Sequence, residues 1–234
     1  MYSREIDGGE FDFGVSGKLI RNVLVMYDRQ TNSLWSQLLG IAIEGEMAGS
    51  SLEYLPSWMT NWEDWKTRHP DTLAIVKGFS GGYDTYAGYY SSASPGVIGE
   101  SIQDDRLYTK EWVIGIEING EAKAYPFSAL NFTPVVNDEV GGVPILVVFN
   151  KDTGAGAVFA RNIEENTYSF SLSNEETLLI TDDQTGTEWD GLTGEAVSGD
   201  LFGTTLSRIK FTGSFWFGWK DWYPDTHLYT VEFD

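Results

Sequence analysis

"YDRQTNSLW", residues 27–35, returns as "TDDQTGTEW", residues 181–189. In each stretch an aspartate stands where its side chain can cap a turn by accepting a backbone N–H further along the chain. Asn32 and Gly186 fall where such a turn needs a left-handed residue, which these two types adopt at least cost. Both stretches therefore read as β-hairpins that close on a tryptophan, Trp35 and Trp189. Their recurrence sets the expected fold class: mainly β with a few short helices, in an internally duplicated β domain whose first copy is incomplete.

Outward from the hairpins the likeness continues. A shift of 154 positions lays Asp28–Thr72 on Asp182–Thr226 without a gap, and about sixteen of the forty-five pairs are identical. Gly40, Gly45 and Gly49 fall on Gly194, Gly199 and Gly203, marking turns. Trp62, Trp65, Lys66, Pro70, Asp71 and Thr72 fall on Trp216, Trp219, Lys220, Pro224, Asp225 and Thr226. Upstream, a shift of 157 pairs "REIDGGEFDF" (4–13) with "RNIEENTYSF" (161–170). Thr60 and Glu63 have capping-box spacing, so a short helix is expected there, with Ser214 as the cap of its second occurrence. Pro70 stops the first helix at His69. The tryptophans of both helices are expected as core anchors, given the area each would bury.

Residues 112–125, "WVIGIEINGEAKAY", read as a hairpin turning at Asn119-Gly120, with Ile114, Ile116 and Ile118 alternating and Ala122 and Ala124 carrying the alternation back. "YPFSAL" (125–130) reads as one helical turn with Pro126 first. "PVVNDEVGGVPILVVFN" (134–150) reads as strand, Gly-Gly turn and buried strand, and "AGAVFARN" and "TYSFSLS" as further strands. The organisation expected is a partial first copy over 1–76, a Gly/Ser/Tyr-rich connector over 77–111 that packs as a tyrosine-bearing loop, and a complete second copy over 112–234. On this reading the first copy begins in mid-unit, as a truncated frame would.

Composition narrows the chemistry. A net charge of −20 repels phosphate backbones, so nucleic acid is not an expected partner. The absence of cysteine removes disulfides, thiolate nucleophiles and Cys-ligated metals. No apolar run approaches the ~20 residues that span a membrane. His69 and His227 are the only histidines, too few for a zinc or iron site, and "TDDQTGTEWDG" (181–191) lacks EF-hand spacing. "GVSGK" (14–18) is neither a nucleophile elbow nor a phosphate loop and reads as a turn between strands. No metal and no cofactor is expected.

The stretches "GVSGKLIRNVLVMYDRQTNSLWSQLLGIAI" (14–43), "WKTRHPDT" (65–72), "YAGYY" (86–90) and "VIGIEINGEAKAYPFSALNFTPVVNDEVGGVPILVVFN" (113–150) together resemble the domain-of-unknown-function 3179 family. The resemblance implies a two-copy and often exported protein, and brings no established activity. It also implies a "GEAKAYP…VVND" block opening the first copy, a histidine shortly before "VVND", and a Cys-Pro-x-Cys-Gly motif. Here "NFTPVVND" (131–138) and "FNKDTGAG" (149–156) hold neither His nor Cys.

Candidate residues are sought where the copies diverge on a constant scaffold. Arg29, Ser36 and Gln37 stand where the second copy has Asp183, Asp190 and Gly191. With Asp28, Trp35 and His69 they form the expected binding set, for an unknown small molecule or protein, in a module that is more a binder than an enzyme. The alternative is a fragment of an extracytoplasmic hydrolytic or redox enzyme whose His/Cys motif is missing here.

Overall fold

The structure is a computed structural model that describes residues 1–55, 57–76 and 86–231. Of the connector expected over 77–111, residues 77–85 lie outside the described residues.

The first half opens with a ribbon, β1 (Glu5–Ile6) and β2 (Gly9–Glu10). A four-stranded antiparallel meander follows: β3 (Phe13–Ile20), β4 (Val23–Asp28), β5 (Leu34–Ser36) and β6 (Ile41–Glu44). Helix α1 (Trp62–Arg68) ends this half, and α2 (Ala87–Ser91) lies beyond it. The second half begins with β7 (Trp112–Ile118), β8 (Glu121–Pro126) and the single turn α3 (Phe127–Leu130). Next come β9 (Val135–Val140), β10 (Val143–Asn150) and β11 (Ala155–Ala160), an antiparallel sheet with β10 in the middle. A second ribbon, β12 (Asn162–Ile163) and β13 (Asn166–Thr167), leads into a second meander. That meander is β14 (Phe170–Asn174), β15 (Leu179–Asp182), β16 (Glu188–Asp190) and β17 (Ala196–Ser198). The described chain finishes with β18 (Thr212–Phe215), α4 (Trp216–Trp222) and β19 (His227–Leu228), giving a sheet of order β18-β7-β8-β19. The protein is mainly β.

The two meanders correspond position by position. Phe13 faces Asp28 and Met26 faces Trp35, as Phe170 faces Asp182 and Ile180 faces Trp189. The register slips at the same step in both, between Leu34 and Trp35 and between Glu188 and Trp189. Gly40 and Gly194 show why glycine is needed there: a Cβ would meet the ring of Tyr2 at 2.4 Å or of Phe159 at 2.5 Å.

The core sits in the second half. Along β10, Ile145, Val147 and Phe149 pack with Ile114, Ile116 and Tyr125, while Leu146 and Val148 pack with Trp189 and the second meander. A strand apolar on both faces is the middle layer of a stack. Among the described residues the first meander has no such layer over it, and its buried cluster is Ile6, Trp35, Ala42 and Leu52.

Several local expectations are corrected. The cap of α1 is Asn61, which accepts the Asp64 N–H at 2.9 Å, while the Thr60 hydroxyl bonds the Asp64 carboxylate at 2.5 Å. Ser214 is not a cap but part of β18. The first N–H groups of α4, on Trp216 and Phe217, donate to the carbonyls of Glu111 and Thr109, so no side-chain cap is needed. Pro126 ends β8 and precedes α3. "GVSGK" is a bulge inside β3, with Gly17 at φ 76°, and the turn comes at Arg21 and Asn22, both left-handed. Ala124 packs with Val113, Trp216 and Trp219, on the opposite face of the ribbon from Ile114 and Ile116.

Candidate functional site

What the halves share forms a hydrogen-bonded knot under each hairpin. Asp28 Oδ1 accepts the Thr31 N–H at 2.6 Å and its Oδ2 accepts Trp35 Nε1 at 2.9 Å. Asp182 repeats this with Thr185 at 2.6 Å and Trp189 at 3.1 Å. Both tryptophans are fully buried, and Phe13 and Phe170 meet them edge-on at 5.5 and 5.9 Å. Burial pushes the Asp28 carboxyl up, but hydrogen bonds from Trp35, Thr31 and Ser33 outweigh it and hold the group below its ordinary value. Asp28 and Trp35 thus have all their chemistry turned inward.

Ser36 is also buried, and its Oγ accepts the Leu39 N–H at 3.3 Å. Its counterpart Asp190 does the same for Leu192 and Thr193, so this position caps a turn in both halves. Arg29 is exposed and lies over the Tyr27 ring at 5.4 Å. His69 ends α1, donating its backbone N–H to the Trp65 carbonyl, and its ring lies tilted against the Trp65 ring at 4.2 Å. These residues do not converge on one place.

Gln37 has a different setting. Its counterpart Gly191 is pressed against the second half's own layers: a Cβ there would lie 2.6 Å from the Leu178 carbonyl and 2.9 Å from Val148 of β10. Among the described residues nothing comparable covers the first half, and Gln37 lines a cavity of ≈ 260 Å³ between the halves. One wall is Tyr2, Gln37, Leu38 and Tyr54; the other is the Lys210–Ser214 segment entering β18. Lys210 Nζ lies 5.5 Å from the Tyr2 ring and 6.0 Å from the Tyr54 ring. Those two rings meet edge-on, and the Tyr2 hydroxyl donates to the Leu38 carbonyl at 2.7 Å. Burial lowers the Lys210 ammonium from its ordinary value, with Glu117 pulling the other way. Burial, then Tyr223 and Tyr54, pushes Tyr2 up to about 12. Past Lys210 a narrow recess of ≈ 20 Å³ continues to Glu117, Trp219 and Tyr223. Of the residues singled out in the sequence Gln37 lines this cavity; Tyr2, Tyr54 and Lys210, which line it too, were not singled out. Tyr2 and Tyr54 do stand opposite Phe159 and Arg208 in the alignment, a divergence of the kind that singled out Gln37.

A larger depression, ≈ 910 Å³, runs along Glu100–Glu111 and Ser128. Three of its charged groups, Glu100, Asp104 and Arg106, are already paired. Glu100 pairs with buried Lys220 at 2.9 Å, and Asp104 pairs with Arg106 at 2.7 Å. The Ser101 and Ile102 N–H groups donate to the Asp221 carboxylate. This segment clasps α4, and the smaller cavity is the better candidate for a ligand. Among the described residues no cluster of three or more His, Cys, Asp or Glu is placed to hold a metal ion, and no helix is long and apolar enough to cross a membrane.

A family model described as "Protein of unknown function (DUF3179)" matches residues 1–226, and the chain belongs to that family. No curated protein and no solved structure matches it.

Proposed function

We propose that this member of the DUF3179 family is a ligand-binding β module made of two copies of one unit, a shorter one over 1–76 and a longer one over 112–234, with its site in the cavity between them. The matched hydrogen bonds of the two meanders support the two-copy reading. Of the six residues singled out in the sequence, Gln37 belongs to this site. Asp28, Trp35 and Ser36 hold the scaffold beneath it, and Arg29 and His69 lie on other surfaces.

The observation that carries the binding reading is the position of Gln37. The scaffold keeps a glycine at the equivalent place in the second half, whereas here a long polar side chain faces open space opposed by Lys210 and Thr212. A concave site with a few polar groups on an otherwise apolar and aromatic wall is the usual form of a small-molecule site, and ≈ 260 Å³ suits a compact one. The test is a screen of small aromatic acids, alcohols and amides against ¹⁵N-labelled protein, repeated on Gln37→Trp, which fills the cavity. Compounds that shift Thr212 in the parent should lose that effect in the variant while its melting temperature holds. Unaltered binding to Gln37→Trp would place the site elsewhere.

A further inference from the structure

Resting on that reading of the cavity, we infer that its ligand is a small anion: a carboxylate or phosphate group that sits on Lys210 and takes hydrogen bonds from Gln37 and Thr212, with an apolar body against Tyr54. Of the described lysines, three have a carboxylate within ion-pair reach, while Lys18, Lys66, Lys110 and Lys210 have none, and of these four Lys210 is the one that lines this cavity. Lys123, Lys151 and Lys220 each have a carboxylate close by, Asp138 at 2.7 Å, Glu175 at 2.6 Å and Glu100 at 2.9 Å. Lys210 has none within ion-pair reach among the described residues, although the chain carries 35 acidic side chains. Its nearest oxygen partner is a neutral carbonyl, that of Leu39, at 3.4 Å.

The groups that do face Lys210 hold a cation in place without neutralising it. The rings of Tyr2 and Tyr54 attract the ammonium through their π faces, an interaction that leaves its N–H donors free. The Met1 α-amino group adds a second positive charge nearby, and Glu117 and Tyr223 lie across the recess. Two neutral donors share the wall: the Gln37 carboxamide and the Thr212 hydroxyl make no side-chain hydrogen bond among the described residues. A point charge with two uncommitted donors matches an anion bearing several acceptor oxygens. A strongly acidic chain repels anions at long range, so a local cation is what such a ligand requires here.

The experiment titrates the labelled full chain with benzoate, phenyl phosphate and neutral benzamide, following Thr212 and the Gln37 side-chain amide. At least one anion should bind about tenfold or more tightly than benzamide, the scale of one charge-assisted hydrogen bond, and the tighter of the two names the group. Lys210→Met should lose that margin with its spectrum otherwise preserved, and Lys210→Arg should keep most of it. Benzamide binding as well as both anions would overturn the inference while leaving the cavity a binding site. No shift from any probe would remove the cavity reading itself.

Discussion

Helices α1 and α4 are the same local structure in two different surroundings. Trp65 Nε1 donates to Thr72 at 3.0 Å and Trp219 Nε1 to Thr226 at 2.9 Å. The rings of Trp65 and His69 lie 4.2 Å apart, those of Trp219 and Tyr223 4.3 Å. The residues that end the helices, His69 and Tyr223, share nearly the same backbone angles, φ −128° and ψ 71° against φ −127° and ψ 74°. Yet α1 buries no residue and leaves Trp62 55% exposed, while six of the seven residues of α4 are buried and Trp216 is fully covered. The difference lies in what each helix meets. Helix α4 rests on the β7–β8 ribbon, where Gly115 makes room for the Trp219 ring; a Cβ there would come within 2.3 Å of it. Helix α1 reaches the second half through the Arg68–Asp190 ion pair, with Arg68 lying over Trp58, a residue ahead of the helix that packs on the second-half core. Local bonds shape this helix, and only a neighbouring sheet gives it burial energy.

The largest test of that contrast is stability. Trp216→Ala should cost about 3–5 kcal/mol, the usual range for emptying a fully buried tryptophan site, and Trp62→Ala should stay within about 0.5 kcal/mol. Urea denaturation of the full chain compares the two, and equal losses would break the comparison. The next effect concerns the knot under the hairpins. Asp28→Asn should destabilise by about 1–3 kcal/mol at neutral pH, because hydrogen bonds to a charged acceptor are lost. The sign with pH follows from a native-state carboxyl held below its unfolded value. Its contribution is complete above the unfolded value near pH 4 and disappears as pH falls through the native one. The gap between parent and variant should therefore close in acid; a gap constant from pH 7 to pH 2 would assign the stabilisation to shape alone. The smallest effect is expected at the divergent positions. Arg29→Ala and Gln37→Ala should each move stability by no more than about 0.5 kcal/mol, since both side chains are exposed. A larger loss at Gln37 would make it a structural group.

The hairpins were legible because their determinants are close in sequence. Asp28 and Trp35 lie seven residues apart, as do Asp182 and Trp189, and the left-handed turn residues Asn32 and Gly186 stand between them. The same holds for the Asn119-Gly120 turn and for the end of α1 at His69. The errors came where a remote partner decided the outcome. The capping role expected of Ser214 is taken by the carbonyls of Glu111 and Thr109, which no local pattern announces. Of the six candidate residues Gln37 lines the cavity, because divergence between the two matched stretches marks positions that need not serve the hairpin without showing which of them share a surface.

By itself the sequence determined the β class, the paired hairpins with their Asp-capped turns and the two short tryptophan-bearing helices, since each rests on bonds between residues a few places apart. Only the tertiary structure decided which helix is buried, that Asp28, Trp35 and Ser36 turn inward, and that Gln37 meets Lys210 across a cavity. Burial and the pairing of distant charges depend on which layers stack, and stacking brings residues as far apart as Gln37 and Lys210 to the walls of one cavity, of which their chain spacing carries no trace.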